Sequence, residues 1–396
     1  MENRTLRTGS PADAGMDPER IERVRRLCAG WVEQGITSAL QVAVVRRGVT
    51  VLQGAWGRLG PEAEARPLTN DSIFGITSTT KAITAAAIMC LVEDGLLGLN
   101  RPVQEYMPEF VGAGKEGVMV HHLLTHTSGF KDDALDAYAL DGVRSGRIAP
   151  PPSLPGLQDD MFLAMRCFDA ILDSPLTVAP GTEMSYCSYG YCLLAEIVTR
   201  VSGRPVDQLV QERILGPLGM ASTSFAGVPA ERLGRMVRRP PDAPFAFVNY
   251  PEVAASVQPG TGSAYANARD IATFLQMFLN GGVYGGARIL SPATVREMTR
   301  DQIPGLSAEF LGEFFPEACW GYGWGIQGNK KGSRDGSLLS PATFSHAGGG
   351  MNYAWADPAL DLVGVYLTVV PRPVSARRSE MGKDLFVNAV TASVID

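Results

Sequence analysis

Ser78 and Lys81 stand three residues apart in DSIFGITSTTKAIT (71–84), at the front of a long apolar run. If 78–95 is helical, positions i and i+3 share a face with Cβ atoms about 5–6 Å apart, and the lysine amine reaches the serine hydroxyl. Serine is a weak nucleophile until a neighbour takes its proton, and an amine enclosed in apolar surroundings tends to lose its own. The start of a helix adds free backbone N–H groups and a positive dipole end, suited to a developing oxyanion. The run AITAAAIMCLV after Lys81 predicts a helix buried on nearly every side, enclosing that first turn as well. Taken alone, S-x-x-K also describes a serine that starts a helix and a lysine in solvent.

Two further segments carry candidate groups. In PGTEMSYCSYGYCLLAEIV (180–198) a Pro-Gly turn leads to Tyr186-Cys187-Ser188 and an apolar helix, although a lone tyrosine reads equally as a packing aromatic. In SHAGGGMNYAW (345–355) the His346-Ala347-Gly348-Gly349 segment lets backbone approach a ligand closely, or marks a bulge. His122 and His126 have the i, i+4 spacing of a helical zinc pair but lack the glutamate of H-E-x-x-H, so no metal is expected. Cys187 has no histidine partner in sequence and reads as small apolar packing. Neither a G-x-S-x-G elbow nor a G-x-x-x-x-G-K-[ST] loop occurs, which argues against an α/β-hydrolase and against nucleotide hydrolysis.

The elements that must hold these groups follow from periodicity. Asp17-Pro18-Glu19 opens a helix with an N-cap, a proline at N1 and a first-turn acid, although Arg20 at N3 closes no capping box. Ile21, Val24, Leu27, Cys28 and Trp31 then give it one apolar face. Residues 40–57 hold two strand-like runs joined at Arg46-Arg47-Gly48, a hairpin. From Ser78 to about Met236 the pattern is mostly helical, broken by proline-rich stretches such as 145–158; another, 238–253, precedes a helix at 268–280. WGYGWGIQG, ATFSHAGGG, NYAWAD and LVGVYLTVV supply strands before a closing helix from about Glu380. The expected class is α/β (α+β): an antiparallel sheet flanked by helices, built from 1–76 and 255–396, with a mostly helical lobe, 77–254, inserted between them. The cleft between the lobes is the expected binding site.

The 396 residues carry 35 Lys+Arg against 41 Asp+Glu, a formal charge of −6, and the densest basic patch, RIERVRR (20–26), is interrupted by apolar residues and a glutamate. Nucleic acid and anionic membrane are therefore not expected partners. The opening MENRTLRTGSPADAG lacks an apolar signal core and the longest apolar stretch is too short to span a bilayer, which predicts a cytoplasmic protein. Six scattered cysteines without CxxC pairs fit reduced thiols.

Ser78-x-x-Lys81, LLTHTSGF (123–130), the PG…Y-x-S-x-G-Y-x-LL arrangement, GTGSAYANARDIATF and HAGGG, in this order, resemble the serine β-lactamase and penicillin-binding-protein superfamily. The likeness is to its class C-like branch, which holds the family VIII carboxylesterases and related acyltransferases, and it spans the chain from about Ser10 to the final helix. The resemblance implies a β-lactamase/transpeptidase-like fold. It implies Ser78 as nucleophile, Lys81 as proton acceptor, Tyr186 as partner base and later proton donor, and backbone N–H groups of Ser78 and Gly349 as the oxyanion hole. It also accounts for the histidine-rich stretch as structural.

Two departures bear on substrate. His346-Ala347-Gly348 replaces Lys-Thr-Gly, losing a fixed cation and a hydroxyl that would hold a substrate carboxylate, so β-lactam turnover is expected to be weak or absent. Ser188 replaces the asparagine of Tyr-x-Asn, removing an amide that grips peptide substrates, while its hydroxyl could still orient Lys81. The expected function is cofactor-free hydrolysis of a small-molecule ester with a small or medium acyl group, with Ser188, His346, Gly348 and Gly349 around the substrate. Phe245, Phe247, Tyr250, Trp324 and Tyr353 are candidate cleft aromatics or ordinary core. The rival readings are acyl transfer to a natural-product alcohol or amine, an amidase or D-peptidase, and a silent binding protein.

Overall fold

Eight consecutive buried residues, Ala39–Arg46, leave this strand no solvated face, so it needs cover on both sides. The computed structural model describes residues 4–150, 168–257, 259–310, 313–329, 335–370 and 376–396. In it Ala39–Arg46 belongs to a seven-stranded sheet in the order Arg7–Thr8, Val49–Gly57, Ala39–Arg46, Leu362–Val369, Asn352–Asp357, Phe344–Gly348, Gly325–Ile326. Neighbours are antiparallel except Arg7–Thr8, which runs parallel to Val49–Gly57. Arg47 and Gly48 join the first long pair with φ of 52° and 75°. Two central residues at positive φ give the hairpin turn whose twist matches that of the strands.

Alternating side chains of the strand supply two cores. Leu40, Val42 and Val44 pack with Val24, Cys28 and Trp31 of the helix Pro18–Glu33 and with Phe386, Val387 and Val390 of the helix Ala376–Thr391. Asp17 caps the first of these, accepting from the N–H groups of Glu19 at 2.8 Å and Arg20 at 3.2 Å. The closing helix starts four residues before the expected Glu380. Ala43, Val45, Val363 and Val365 pack on the other face with Ile271, Phe274 and Phe278 of the helix Ala268–Leu279. Ile83, Ala87 and Ile88 of the helix Thr80–Glu93 share this second core with Leu123, Leu135, Tyr191 and Val198 from helices of the middle segment.

Two short pairings link the middle of the chain to its later part. Phe74–Gly75 pairs antiparallel with Tyr265–Ala266, and Met184–Ser185 runs parallel to Ala308–Phe310. Two-residue strands carry no alternation for a sequence reading to detect. Of the irregular stretch expected at 145–158, residues 151–158 lie outside the described residues. Within 238–253, Pro251 opens a short helix, Pro251–Val257, at the one position where its missing N–H is harmless. No described helix is long and apolar enough to cross a membrane.

Candidate active site

Ser78 is half-buried in a 3₁₀ turn, Thr77–Thr79, and the α-helix begins at Thr80, two residues later than expected. Nearly every residue of the 14-residue helix Thr80–Glu93 is buried, Lys81 with 1% exposure. Its Nζ lies 3.1 Å from Ser78 Oγ and 3.2 Å from the carbonyl oxygen of Thr261. The same Nζ stands 5.0 Å from the ring centroid of Tyr186 and 5.8 Å from that of Tyr191.

The segment 260–264 is fastened along the start of this helix. Thr84 Oγ1 donates to Gly260 O at 2.5 Å, the Ala264 N–H donates to Thr80 Oγ1 at 3.1 Å, and the Ile76 N–H donates to Ala264 O at 3.0 Å. These bonds fix the Thr261 carbonyl that receives Lys81. Ser188 is not among the polar partners of Lys81, so the orienting oxygen expected from its hydroxyl comes from Thr261 instead. A backbone carbonyl has no residue type, so no sequence signal points to it.

Tyr186 follows the strand Met184–Ser185, and His126 brackets it. The Ser185 N–H donates to His126 O at 2.9 Å and the Cys187 N–H donates to His126 Nδ1 at 3.0 Å. The rings of His126 and Tyr186 lie 4.3 Å apart, and Trp320 meets them edge-on at 5.0 and 6.0 Å. The Ser188 N–H, at the head of the helix Ser188–Ser202, donates to both carboxylate oxygens of Asp132 at 2.8 and 2.9 Å. One stretch, 126–132, thus holds the backbone on both sides of the tyrosine. Because Nδ1 accepts, the His126 proton sits on Nε2. Burial first, then the neighbouring Lys81 and His346, keeps its pKa well below 6.5.

The helix Val120–Leu124 ends before His126, which has φ 57°, so His122 and His126 share no helical face. His122 Nδ1 instead accepts from the Met119 N–H at 3.1 Å. Cys187 is buried, which raises its thiol pKa well above the usual range.

The third wall is the strand Phe344–Gly348, packed against Ile76 and Thr77. A Cβ on Gly348 would stand 2.5 Å from Ile76 O and 2.6 Å from Thr77 Oγ1, so only glycine permits this approach. Thr77, at φ 48°, lies 2.8 Å through Oγ1 from Ile76 O and 3.1 Å from Gly349 O, tying the serine turn to the glycine segment. His346 is buried, and its Nδ1 donates to Ala347 O at 2.7 Å, leaving Nε2 as an acceptor. Burial, reinforced by Lys81, lowers its pKa to about 3, so the ring is neutral at neutral pH. It lies 6.3 Å from the Tyr186 ring.

The structure therefore gathers Ser78, Lys81, Tyr186, His346, Gly348 and Gly349 around one centre, and Ser188, two residues after Tyr186, has its N–H tied to Asp132. Of the candidate aromatics, Phe245 packs on Gly349, where a Cβ would meet its ring at 2.4 Å. Phe247 is core beside Ile73 and Tyr265. Trp324 is core beside Phe274 and Phe344, and Tyr353 is core stacked on Trp355 at 5.6 Å. Trp320, absent from those candidates, is an aromatic that reaches the tyrosine.

A family model described as Beta-lactamase matches residues 24–385. An uncharacterised protein of Mycobacterium tuberculosis is 30% identical over 339 residues, covering 76% of this chain and 78% of the other. A penicillin-binding protein homologue from Caulobacter crescentus superposes with a TM-score of 0.72 at 22% identity, covering 96% of this chain and 99% of that one. A family VIII carboxylesterase superposes with a TM-score of 0.68 at 23% identity, covering 93% and 98% of the two chains. At such identities the two structures share the fold with this chain, a sheet flanked by helices.

Proposed function

The chain belongs to the Beta-lactamase family, and on that footing we propose that it is a serine hydrolase cleaving carboxylic esters through an acyl-serine intermediate. The observation that carries this reading is the buried Lys81 amine 3.1 Å from Ser78 Oγ, with Thr261 O holding it there. Ser78 Oγ attacks the ester carbonyl carbon while its proton passes to the pair formed by Lys81 and Tyr186. The tetrahedral oxyanion faces the N–H groups of Ser78 and Gly349. On collapse the C–O bond to the alcohol breaks, and the alkoxide leaves with the proton from Tyr186. Water then attacks the acyl carbon, gives a proton to the same pair, and frees the acid as Ser78 regains its hydrogen.

Preference for neutral acyl groups follows from the third wall. A neutral His346 and the methyl of Ala347 offer no cation or hydroxyl for a substrate carboxylate, which disfavours β-lactams. Ser188 in place of a longer amide favours esters over peptides.

The test is intact mass after treatment with a fluorophosphonate, in which Ser78 Oγ displaces fluoride from phosphorus, for wild type and Ser78→Ala. A mass gain in wild type alone, with turnover of neutral esters exceeding that of matched amides, is the expected result. A gain in both proteins removes the nucleophile assignment, and amide preference removes the ester reading. Adding alcohol and amine acceptors to the acylated protein separates hydrolysis from acyl transfer.

A further inference from the structure

Arg239 is 3% exposed, yet no described carboxylate pairs with it. Its Nη2 donates to Thr368 O at 3.3 Å, and Nη1 has no acceptor among the described residues. The main chain holds it in place: its N–H donates to Asn249 Oδ1 at 2.8 Å, and Asn249 Nδ2 donates to its carbonyl at 2.9 Å. The guanidinium lies directly against Gly350, where a Cβ would stand 2.3 Å from Nη1 and 2.6 Å from Nη2. The preceding residue, Gly349, is the candidate oxyanion donor, and its carbonyl is the one tied to Thr77.

Burial lowers the Arg239 pKa to about 10, which leaves it charged at neutral pH. Enclosing a cation without a counter-ion is costly, and an apolar side chain of similar length would fill the space more stably. Residues that break such a rule mark places where function sets the choice. Buried against Gly350, the guanidinium acts through its field across low-dielectric protein.

We propose that Arg239 is a positioning residue for catalysis, whose buried charge, acting through the Gly349–Gly350 segment, favours the oxyanion formed when Ser78 attacks. The inference rests on the acyl-serine reading given above. It assigns the charge left without a carboxylate among the described residues to the transition state, where a negative partner is formed.

The test measures three things for wild type, Arg239→Met and Arg239→Lys: the rate of fluorophosphonate labelling at Ser78, kcat and KM on a neutral ester, and Tm. Arg239→Met is expected to lower the labelling rate and kcat about tenfold or more, with KM unchanged and Tm equal or higher. Arg239→Lys is expected to recover most of the rate. A folded Arg239→Met that labels at the wild-type rate overturns the inference, as does an Arg239→Lys as slow as the methionine variant. A loss confined to esters with a carboxylate in the acyl chain also overturns it, assigning Arg239 to substrate binding. Should Arg239→Met fail to fold, Arg239→Gln decides by the same readouts. Wild type that fails to label at Ser78 overturns the acyl-serine reading itself, and this inference with it.

Discussion

His126 satisfies two backbone N–H groups at once, one on each side of Tyr186, and lays its tilted ring against the tyrosine between them. His126→Leu would orphan the Cys187 N–H and release the ring. A small misplacement of a reacting group costs about a hundredfold, so kcat is expected to fall ~10- to 100-fold with KM little changed. His126→Asn, whose amide oxygen can accept from Cys187, is expected to restore part of that loss; steady-state kinetics on one neutral ester check both. Lys81→Met, which keeps the volume and removes the proposed proton acceptor, is expected to lower kcat by about 10²–10⁴-fold while the protein stays folded. Circular dichroism and the rate of Ser78 labelling check the two halves of that statement.

The strand Phe344–Gly348 and the turn Thr77–Thr79 act as a pair, and adjacent glycines test the contact in opposite ways. Gly348→Ala drives a methyl into Ile76 O and Thr77 Oγ1, backbone and a fixed side chain that cannot retreat. Overpacking of this kind costs about 1–3 kcal/mol, and it would part the strand from the serine turn, so both Tm and labelling rate are expected to fall. For Gly349→Ala the nearest atoms that the new methyl meets belong to the ring of the half-buried Phe245, which can rotate away. Its Tm is expected to stay near wild type. If the two substitutions prove equally damaging, the close approach of strand and turn is not what glycine serves there.

Over the whole molecule, buried titratable groups set an acid limit. An unfolded histidine takes up its proton near pH 6.5, whereas folded His346 resists to about pH 3. The folded state then binds fewer protons across that window, so this contribution is present above pH 6.5 and is lost as pH falls toward 3. Tm is expected to drop over that range, and His346→Gln is expected to flatten the drop. Asp136 works in the other direction. Burial first raises its pKa to about 6, with Asp132 and Asp133 adding to the shift and the Tyr189 hydroxyl opposing it. Its contribution is present below about pH 3.8 and is lost as pH rises through 6. Asp136→Asn is expected to raise Tm at pH 8 and to do little at pH 4, a contrast that thermal melts at the two pH values check.

Much of this architecture was legible because it is local. The Ser78 and Lys81 pairing is a three-residue spacing on one helical turn, Asp17-Pro18 caps a helix by its own sequence, and the Arg47-Gly48 turn follows from two runs of strand formers. The β-lactamase/transpeptidase-like fold was implied by the resemblance that the ordered motifs carry, and the family match over residues 24–385 agrees. The rest depended on groups brought together from far along the chain. Thr261 O lies 180 residues from Lys81, His126 lies 61 from Cys187, and Gly349 lies 272 from Thr77. Spacing along a chain fixes geometry only within a few residues; beyond that, packing of the two cores against the sheet decides which distant carbonyl, ring or cation meets the serine. Residue types therefore determined that an amine could meet an alcohol here, and only the tertiary structure decided that a threonine carbonyl orients the amine, a histidine braces the phenol and a buried arginine underlies the glycines.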